Sequence, residues 1–252
     1  MKILSVGNSF AVDTMTLLPQ VLGAAGVECT LGCLYIAGCS IAQHYENFLN
    51  EEPGYIYHAS RGDGWTQTPD YSIQRALKEA QWDVVSIQHG SNNGSRYTEA
   101  RCYEDLKSLV AGIRQLLPTA KIVFNMAWVP EPECTRKEMT SFGGDQLAMY
   151  RAVTETTLTQ VCPVVDGVVP TGTTVQNART VYPGKLTRDN FHLSLDLGRY
   201  MAALTFGAML CAFDPEQISW HPETVTAAEA KLAKQSAIAA LKTPFQVTPM
   251  TK

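Results

Sequence analysis

The sequence predicts an α/β protein, a single three-layer α/β/α domain built on a mostly parallel sheet. Short apolar segments typical of buried strands alternate along the chain with longer segments of helical spacing. Strands separated by helices are joined by right-handed crossovers, which makes them parallel neighbours in one sheet. No internal repeat, low-complexity segment or linker interrupts this alternation, so we interpret residues 1–252 as one domain.

The first strand and helix follow from the start of the chain. Residues 2–6 are short, apolar and partly β-branched, which is typical of a buried strand. Gly7 then permits a sharp turn. The apolar spacing over residues 15–25 predicts an amphipathic helix, with Asp13 or Thr14 as its start signal.

Ser9 is predicted to lie in the connection between this strand and this helix. In an open parallel sheet that position is the carboxyl edge, where ligands bind. A serine there can present its hydroxyl to solvent, and nearby backbone N–H groups point the same way. The alternative is a helix-capping serine, which is the more common role for a single serine in such a loop.

The remaining elements follow from the same two patterns. The further predicted strands are residues 28–36, 82–88, 121–127 and 161–165. The further predicted helices are residues 71–81, 97–117, 146–160, 194–211 and 227–241.

Three other segments carry no core element in this prediction. Residues 44–69 are polar and rich in aromatic side chains, which indicates an insertion outside the sheet, with a hairpin as one form it could take. We expect His44 and His58 of this insertion to lie on the surface. Residues 166–187 are predicted to form a loop, and the tail after Pro244 is predicted to be frayed.

Composition and charge narrow the functional classes. Apolar residues make up 45% and charged residues 17% of the chain, as in globular proteins. The net charge of −4 and the lack of a basic stripe argue against a nucleic-acid partner. No apolar run reaches the roughly 18 residues of a membrane span. The chain enters a strand directly, so we expect a cytoplasmic protein, or an exported one if a signal peptide has been removed.

Common cofactor and metal motifs are missing from the sequence. It holds seven cysteines without a C-x-x-C pair, and no P-loop, G-x-G-x-x-G, G-x-S-x-G or H-E-x-x-H pattern. We therefore predict no cofactor and no metal site. Nucleotide-binding enzymes and α/β-hydrolases become less favoured interpretations.

Polar residues follow the carboxyl ends of several predicted strands. Ser9 follows the first strand, Gly38 the second and residues 90–93 the third, while Asp189 and His192 lie beyond the fifth. Because the carboxyl ends of parallel strands meet at one edge of a sheet, we expect these residues to converge there.

Asp189 and His192 are three residues apart at the entry to a predicted helix. At that spacing a carboxylate can accept the Nδ1 proton of the imidazole and leave Nε2 free as a base. The competing interpretation is that Asp189 caps the helix and that His192 is an ordinary surface histidine.

Taken together, four short motifs resemble the four sequence blocks of SGNH (GDSL-type) hydrolases in order and spacing, over residues 2 to about 211. They are Gly7-Asn8-Ser9-Phe10, Gly38, Gly90-Ser91-Asn92-Asn93 and Asp189-x-x-His192. The first block is similar to that of the branch that begins with G-N-S-F. This resemblance implies a flavodoxin-like fold with a five-stranded sheet in the order 2-1-3-4-5.

The resemblance also implies a serine esterase. Ser9 would be the nucleophile, His192 its general base and Asp189 the group that orients the imidazole. The oxyanion hole would use the backbone N–H groups of Ser9 and Gly38 and the side-chain amide of Asn92, with each donor worth roughly 3 kcal/mol of barrier.

Two positions depart from the family pattern. Asn8 stands where an acid usually precedes the serine, at a position that is usually a structural hydrogen-bonder. Asn93 stands where the third block usually has Asp. Gln88 is the alternative oxyanion donor if the loop that contains Asn92 is rearranged.

The expected substrate is a small-molecule or carbohydrate ester, from which the enzyme would remove a small acyl group such as acetyl. Trp65, Tyr57 and Trp128 could stack on a sugar ring, with ordinary packing as an equally good explanation. His89 could line the pocket, although a histidine next to a buried strand is more often a hydrogen-bonded structural residue. Arg96 and Arg188 could bind a substrate carboxylate.

Three other functions remain open at this stage. One is a non-catalytic domain that binds a ligand at the same edge, and another is a lipase or thioesterase of the same family. The third is a metal-dependent hydrolase that uses His192, Asp189 and another histidine. The oligomeric state is left open.

Overall fold

The structure is a computed structural model that describes residues 1–62, 64–89 and 100–251. Within these residues seven strands form one sheet. They are β1 (Lys2–Gly7), β2 (Thr30–Tyr35), β3 (Tyr55–Ser60), β4 (Thr66–Tyr71), β5 (Val84–Gln88), β6 (Lys121–Asn125) and β7 (Gly167–Val169).

Helices flank this sheet. In the described part of the chain they are α1 (Ser9–Met15), α2 (Leu18–Ala24), α3 (Ile41–Leu49), α4 (Ile73–Lys78), α5 (Ala100–Leu116), α6 (Lys137–Thr140), α7 (Gln146–Thr156), α8 (Thr171–Arg179), α9 (Leu197–Cys211) and α10 (Ala227–Lys242). Helices α1, α2, α8, α9 and α10 form one packed group, and α3 packs with α4 and α5. The predicted α/β/α sandwich is confirmed.

The order of the strands is β4-β3-β2-β1-β5-β6-β7. Strands β2, β1, β5, β6 and β7 are parallel and follow the expected flavodoxin-like order. Their buried faces are apolar because helices cover both sides of a parallel sheet. Strand β1 lies in the interior of the sheet, with its carboxyl end between those of β2 and β5.

The predicted count of five strands is wrong, because the aromatic insertion adds two. Strands β3 and β4 form an antiparallel hairpin that extends the edge of the sheet beside β2. Tyr55 and Tyr57 of β3 point inward in alternation with the exposed Ile56. Tyr57 also stacks on Tyr71, with ring centroids 4.4 Å apart. The insertion is therefore part of the sheet and not an excursion from it.

The first helix begins earlier than predicted. Asn8 is its N-cap and accepts a hydrogen bond from the Phe10 N–H, so Ser9 is the first helical residue. The chain then breaks between α1 and α2, where Pro19 lies in the first turn of the second helix. Asp13 lies inside α1 and is not a start signal.

The predicted fifth strand, 161–165, is also wrong. Helix α7 continues there as a π-helical turn, Thr157–Val161, and the strand follows it at Gly167–Val169. The predicted loop 166–187 contains β7 and the buried helix α8. This helix was not predicted because its first turn is rich in threonine. In the fold the threonine hydroxyls are satisfied by buried acceptors such as the Asn125 side chain, which accepts from Thr171.

The histidines of the insertion are not on the surface as expected. His44 is fully buried, and its Nδ1 lies 2.8 Å from the Tyr55 hydroxyl and 3.3 Å from Cys39 Sγ. Burial, together with nearby His89, lowers the pKa of His44 to about 3. Half-buried His58 has a pKa lowered by the same desolvation. Both side chains belong to the packing of α3 and β3.

The C-terminal tail is held against α8 instead of being frayed. The Thr248 N–H donates to Asn177 Oδ1 at 2.7 Å, and the Met250 N–H donates to Thr180 Oγ1 at 2.9 Å. No helix in the described ranges is both long and apolar enough to cross a membrane.

Gly172 offers a test of how closely α8 approaches the end of β6. A Cβ on Gly172 would lie 2.2 Å from the carbonyl oxygen of Ala127, which is backbone and cannot move aside. We expect Gly172→Ala to lower the free energy of unfolding by about 3 kcal/mol. The matched control is Gly23→Ala in α2, where a Cβ meets no atom within 4 Å. That change should raise stability by about 0.5 to 1 kcal/mol. Urea unfolding of both variants measures the difference, and equal effects would contradict this packing.

Candidate active site

The candidate site lies at the carboxyl edge of the sheet. Ser9 follows β1 and is the first residue of α1, and Gly38 lies in the turn after β2. Because Ser9 is in the first turn of a helix, its backbone N–H has no carbonyl partner within that helix. The hydroxyl and the backbone N–H of Ser9 therefore both lie at the start of α1, beside the carboxyl end of β1.

A chain of hydrogen bonds joins three of the predicted residues. Ser9 Oγ lies 3.0 Å from His192 Nε2, although the two residues are 183 positions apart in the sequence. His192 Nδ1 lies 2.6 Å from Asp189 Oδ2. A neutral imidazole in this arrangement donates its Nδ1 proton to Asp189 and accepts from Ser9 at Nε2.

His192 and Asp189 belong to a tight loop, residues 186–194, which we call the histidine turn. Thr187 and Leu193 form an isolated antiparallel bridge at its base. Asp189 Oδ1 accepts the backbone N–H groups of Phe191 at 3.1 Å and of His192 at 2.7 Å. Asp189 thus caps its own turn while its other oxygen binds the imidazole. The competing prediction that Asp189 caps the following helix is wrong, because Asp196 is the N-cap of α9 and its side chain accepts from the Leu197 N–H.

The histidine turn is also fixed to its surroundings through its backbone. Asn190 has a φ of +63°, a left-handed conformation that Asn tolerates better than most residues. Its carbonyl accepts from the Glu131 N–H at 2.9 Å, and the Phe191 carbonyl accepts from Trp128 Nε1 at 2.9 Å. These bonds attach the turn to the loop that follows β6.

The charge of Asp189 is stabilised in this arrangement. Partial desolvation alone would raise the pKa of Asp189. The hydrogen bonds from the His192 ring and backbone outweigh it and lower that pKa to about 2. The side chain is therefore ionised at neutral pH and can hold a positive imidazolium.

Trp128 does not form a surface for stacking on a substrate. It is fully buried and stacks on Phe10 at 4.0 Å with an interplanar angle of 9°. Phe10 also packs against Phe191, with ring centroids 5.0 Å apart. The expectation of a sugar platform is wrong here, because the indole packs behind the residues that flank Ser9 and His192.

Trp65 lies near the amino ends of the parallel strands, on the other side of the sheet's length from the candidate site. Strand β3 runs antiparallel to β2 and ends at Ser60, which pairs with Leu31 at the start of β2. Trp65 lies in the turn that follows, and its Nε1 donates to the carbonyl of Thr16, the C-cap of α1. Its proposed role in substrate binding beside Ser9 is therefore wrong.

The alternative oxyanion donor is committed elsewhere. Gln88 is fully buried, and its Nε2 donates to the Asn125 carbonyl at 3.0 Å while its Oε1 accepts from Asn125 Nδ2 at 2.6 Å. His89 is 2% exposed, which leaves almost no surface for a ligand to contact. The structure therefore contradicts an oxyanion role for Gln88 and a pocket-lining role for His89. Asn92, the favoured donor, lies outside the described residues, as do Asn93 and Arg96.

Asn8 connects the serine loop to the turn that contains Gly38. Its Oδ1 accepts from the Phe10 N–H at 3.0 Å, and its Nδ2 donates to the Cys39 carbonyl at 3.1 Å. Gly38 itself has a φ of +63°, which glycine adopts without strain. The amide of Asn8 thus holds the two predicted oxyanion loops together, which a carboxylate could not do by donating.

Asp13 is the residue that the sequence analysis missed. Its fully buried carboxylate binds Arg188, Arg199 and the backbone of the histidine turn. Arg188 is therefore held in an ion pair, in contrast to the predicted role in binding a substrate carboxylate. The available signal was an acidic residue one helical turn after Ser9, among Ala11, Val12 and Met15 in a segment that has to pack.

The sequence of this chain matches one known family. A sequence family described as a domain of unknown function, DUF4886, matches residues 2–240. A crystal structure of a DUF4886 family protein from Bacteroides uniformis is similar, with 29% identity and a TM-score of 0.94 over 99% of this chain and 98% of that one. A comparison with curated proteins finds no match.

More distant structures share the fold. A family 3 carbohydrate esterase from Clostridium thermocellum has 13% identity and a TM-score of 0.51, over 84% of this chain and 96% of that one. A candidate SGNH hydrolase from Slackia heliotrinireducens has 18% identity and a TM-score of 0.50, over 83% and 98%. At these identities the likeness establishes an SGNH-like fold.

The lowered pKa of Asp189 predicts a pH-dependent contribution to stability. In the unfolded chain an aspartate has a pKa of about 3.9. The stabilising contribution of the ionised Asp189 is therefore complete above about pH 5 and is lost as the pH falls toward 2. The difference in unfolding free energy between the wild type and Asp189→Asn should be largest near pH 7 and should shrink below about pH 5.

Urea unfolding across this pH range measures that difference. The control is the same substitution in a His192→Ala background, where the main hydrogen-bond partner is gone and the pH dependence should weaken. A difference that stays constant between about pH 7 and pH 3 would contradict the assignment.

Proposed function

The chain belongs to the DUF4886 family, and from this premise we propose that it is a serine esterase that works through an acyl-enzyme. The observation that carries the proposal is the hydrogen-bond chain from Ser9 through His192 to Asp189. A serine hydroxyl is a weak nucleophile until a base takes its proton, and His192 Nε2 is within reach to do so. The SGNH-like fold gives independent support.

The acylation step uses each of the three residues. Ser9 Oγ attacks the ester carbonyl and His192 Nε2 takes its proton, while the ionised Asp189 stabilises the imidazolium that forms. The tetrahedral intermediate collapses when His192 gives this proton to the leaving alcohol. Water then attacks the acyl-enzyme by the same route, which releases the acid and restores Ser9.

The negative charge that develops on the carbonyl oxygen in the tetrahedral intermediate needs hydrogen-bond donors that are already in position. The N–H groups of Ser9 and Gly38 are the candidates within the described residues, and Asn8 keeps their two loops together. The side-chain amide of Asn92 is the proposed third donor. Each such donor is worth roughly 3 kcal/mol of barrier.

For the substrate we propose a carbohydrate or related alcohol that carries a small acyl group such as acetyl. Support comes from the fold shared with the family 3 carbohydrate esterase. The aromatic platform gives no support, since Trp128 is buried and Trp65 lies near the amino ends of the parallel strands. The competing activities are those of a lipase, a thioesterase, a metal-dependent hydrolase or a non-catalytic binding domain, and the experiments below separate them.

A fluorophosphonate probe tests the nucleophile. An activated serine attacks its phosphorus and displaces fluoride, which adds the phosphonyl mass to the protein. We expect one equivalent of label on the wild type, no label on Ser9→Ala, and a rate at least about 10³-fold lower for His192→Ala. Intact-mass spectrometry followed by peptide mapping reads both the extent and the position.

The control for this experiment is Ser141→Ala, which removes an exposed serine on the C-cap of α6. It should be labelled like the wild type. If the wild type and Ser9→Ala are equally unlabelled, the esterase proposal fails and a binding domain becomes the better interpretation. Activity that persists in Ser9→Ala but is lost with chelator would favour the metal-dependent hydrolase.

A panel of esters tests the size of the acyl group. We expect kcat/KM to be highest for acetyl and to fall as the acyl chain of p-nitrophenyl esters lengthens, with acetylated sugars hydrolysed as well. Asp189→Asn should lower kcat on every member by a similar factor, because it acts on the base and not on the acyl group. A preference for long acyl chains or thioesters would instead support a lipase or thioesterase.

A further inference from the structure

Asp13 is a buried carboxylate that the proposed mechanism does not use. It is fully buried in α1, one helical turn after Ser9, so the two residues share a face of the same helix. Removing an ionised carboxylate from water is costly unless charges and hydrogen-bond donors replace the water. The charges and donors that contact Asp13 therefore have to be held at hydrogen-bonding distance from its carboxylate.

The partners of Asp13 come from the segment on either side of His192. The Leu193 N–H, directly after His192, donates to Oδ2 at 3.0 Å. Arg188 Nη1, four residues before His192, donates to Oδ1 at 3.0 Å and to Oδ2 at 3.1 Å. Arg199, in the first turn of α9, donates to Oδ1 from Nε at 2.8 Å and from Nη2 at 2.7 Å.

Arg188 also closes the histidine turn on itself. Its Nη1 donates to the Leu193 carbonyl, and its backbone N–H donates to the His192 carbonyl at 2.9 Å. The same arginine therefore binds Asp13 and both sides of the turn. The carboxylate and Arg188 together fix where His192 lies relative to α1.

We propose that Asp13 is a positioning residue that sets the distance between Ser9 and His192, a role that rests on the proposed esterase function. Ser9 and Asp13 move together because one helix holds them. Leu193 binds Asp13 directly and is adjacent to His192. A displacement of about 1 Å in such a pair can cost on the order of 100-fold in rate. Asp13 acts through His192 and touches no reacting atom.

The test compares variants that break different contacts of Asp13. Asp13→Asn keeps the size and one carbonyl oxygen for the Leu193 N–H but removes the charge. Arg188→Gln removes the side-chain link between Asp13 and the histidine turn and leaves the Leu193 N–H bonded to Asp13. The Arg188 side chain is one-third exposed, so the fold should tolerate the change. The matched control is Arg199→Gln, which removes an ion pair to the same carboxylate and leaves the turn bonded.

We expect the rate of fluorophosphonate labelling, and kcat on p-nitrophenyl acetate, to fall at least tenfold in Asp13→Asn and several-fold in Arg188→Gln. KM should stay within about twofold, because the substrate contacts are unchanged. Arg199→Gln should keep kcat within about twofold of the wild type even where its melting temperature falls. Circular dichroism at the assay temperature establishes that each variant is folded.

Two outcomes would overturn this inference. If Arg188→Gln and Arg199→Gln label at the same rate as the wild type, Asp13 only stabilises the fold, whatever Asp13→Asn does. If all variants lose activity in proportion to their stability, the same conclusion holds. Failure of the proposed function is a separate result, because the wild type itself would then remain unlabelled and the inference would fall with it.

Discussion

The buried carboxylate of Asp13 is the interaction on which the arrangement of the site depends. The strands of the sheet bring the start of the chain and the end of β6 to one edge, but the histidine turn lies outside the sheet and needs its own attachment. Asp13 supplies the attachment to α1, since it binds Arg188 and the Leu193 N–H from the helix that contains Ser9, in addition to the bonds that join the turn to the loop after β6. One helical turn after Ser9, Asp13 thus links α1 to the segment that contains His192, close to the Ser9–His192 contact at 3.0 Å.

Apolar packing supports the same contact from the other side. Phe10 follows Ser9 in the chain and stacks on Trp128, and Phe191 precedes His192 and packs against Phe10. The two polar residues of the pair therefore each have a neighbour in one aromatic cluster. A close-packed interior resists small displacements, so this cluster limits the movement of both side chains. The aromatic cluster and the contacts of Asp13 thus act together on the distance between Ser9 and His192.

Much of the fold could be predicted from local patterns. Strands β1, β2, β5 and β6 are short apolar segments, and their helices have clear spacing, so the parallel sheet followed directly. Helix α8 could not be predicted, because each of its threonines bonds a partner from a distant segment, such as Asn125 for Thr171. The position of β7 was missed for a related reason, since α7 continues as a π-helical turn into the predicted strand.

The residues of the candidate site also fall into those that could be predicted from the sequence and those that could not. The convergence of Ser9, Asp189 and His192 could be predicted because each follows a predicted strand and because their motifs resemble, in order, the blocks of a known family. The roles of Trp65, Trp128 and Gln88 depend on what surrounds them in three dimensions, and residue type alone suggested the wrong surroundings. Asp13 was missed because its place among packing residues was the only signal in the sequence, and its two arginine partners lie far along the chain.

The hairpin of β3 and β4 has a consequence for edge-to-edge pairing of the sheet. Strand β2 is almost entirely buried, and without the hairpin its backbone would be an open, apolar edge that another copy could extend. Strand β4 replaces it with an exposed and polar border that contains Pro69, which has no N–H to offer a neighbouring strand. At the other border β7 has only three residues. Both margins of the sheet are thus poor templates for aggregation.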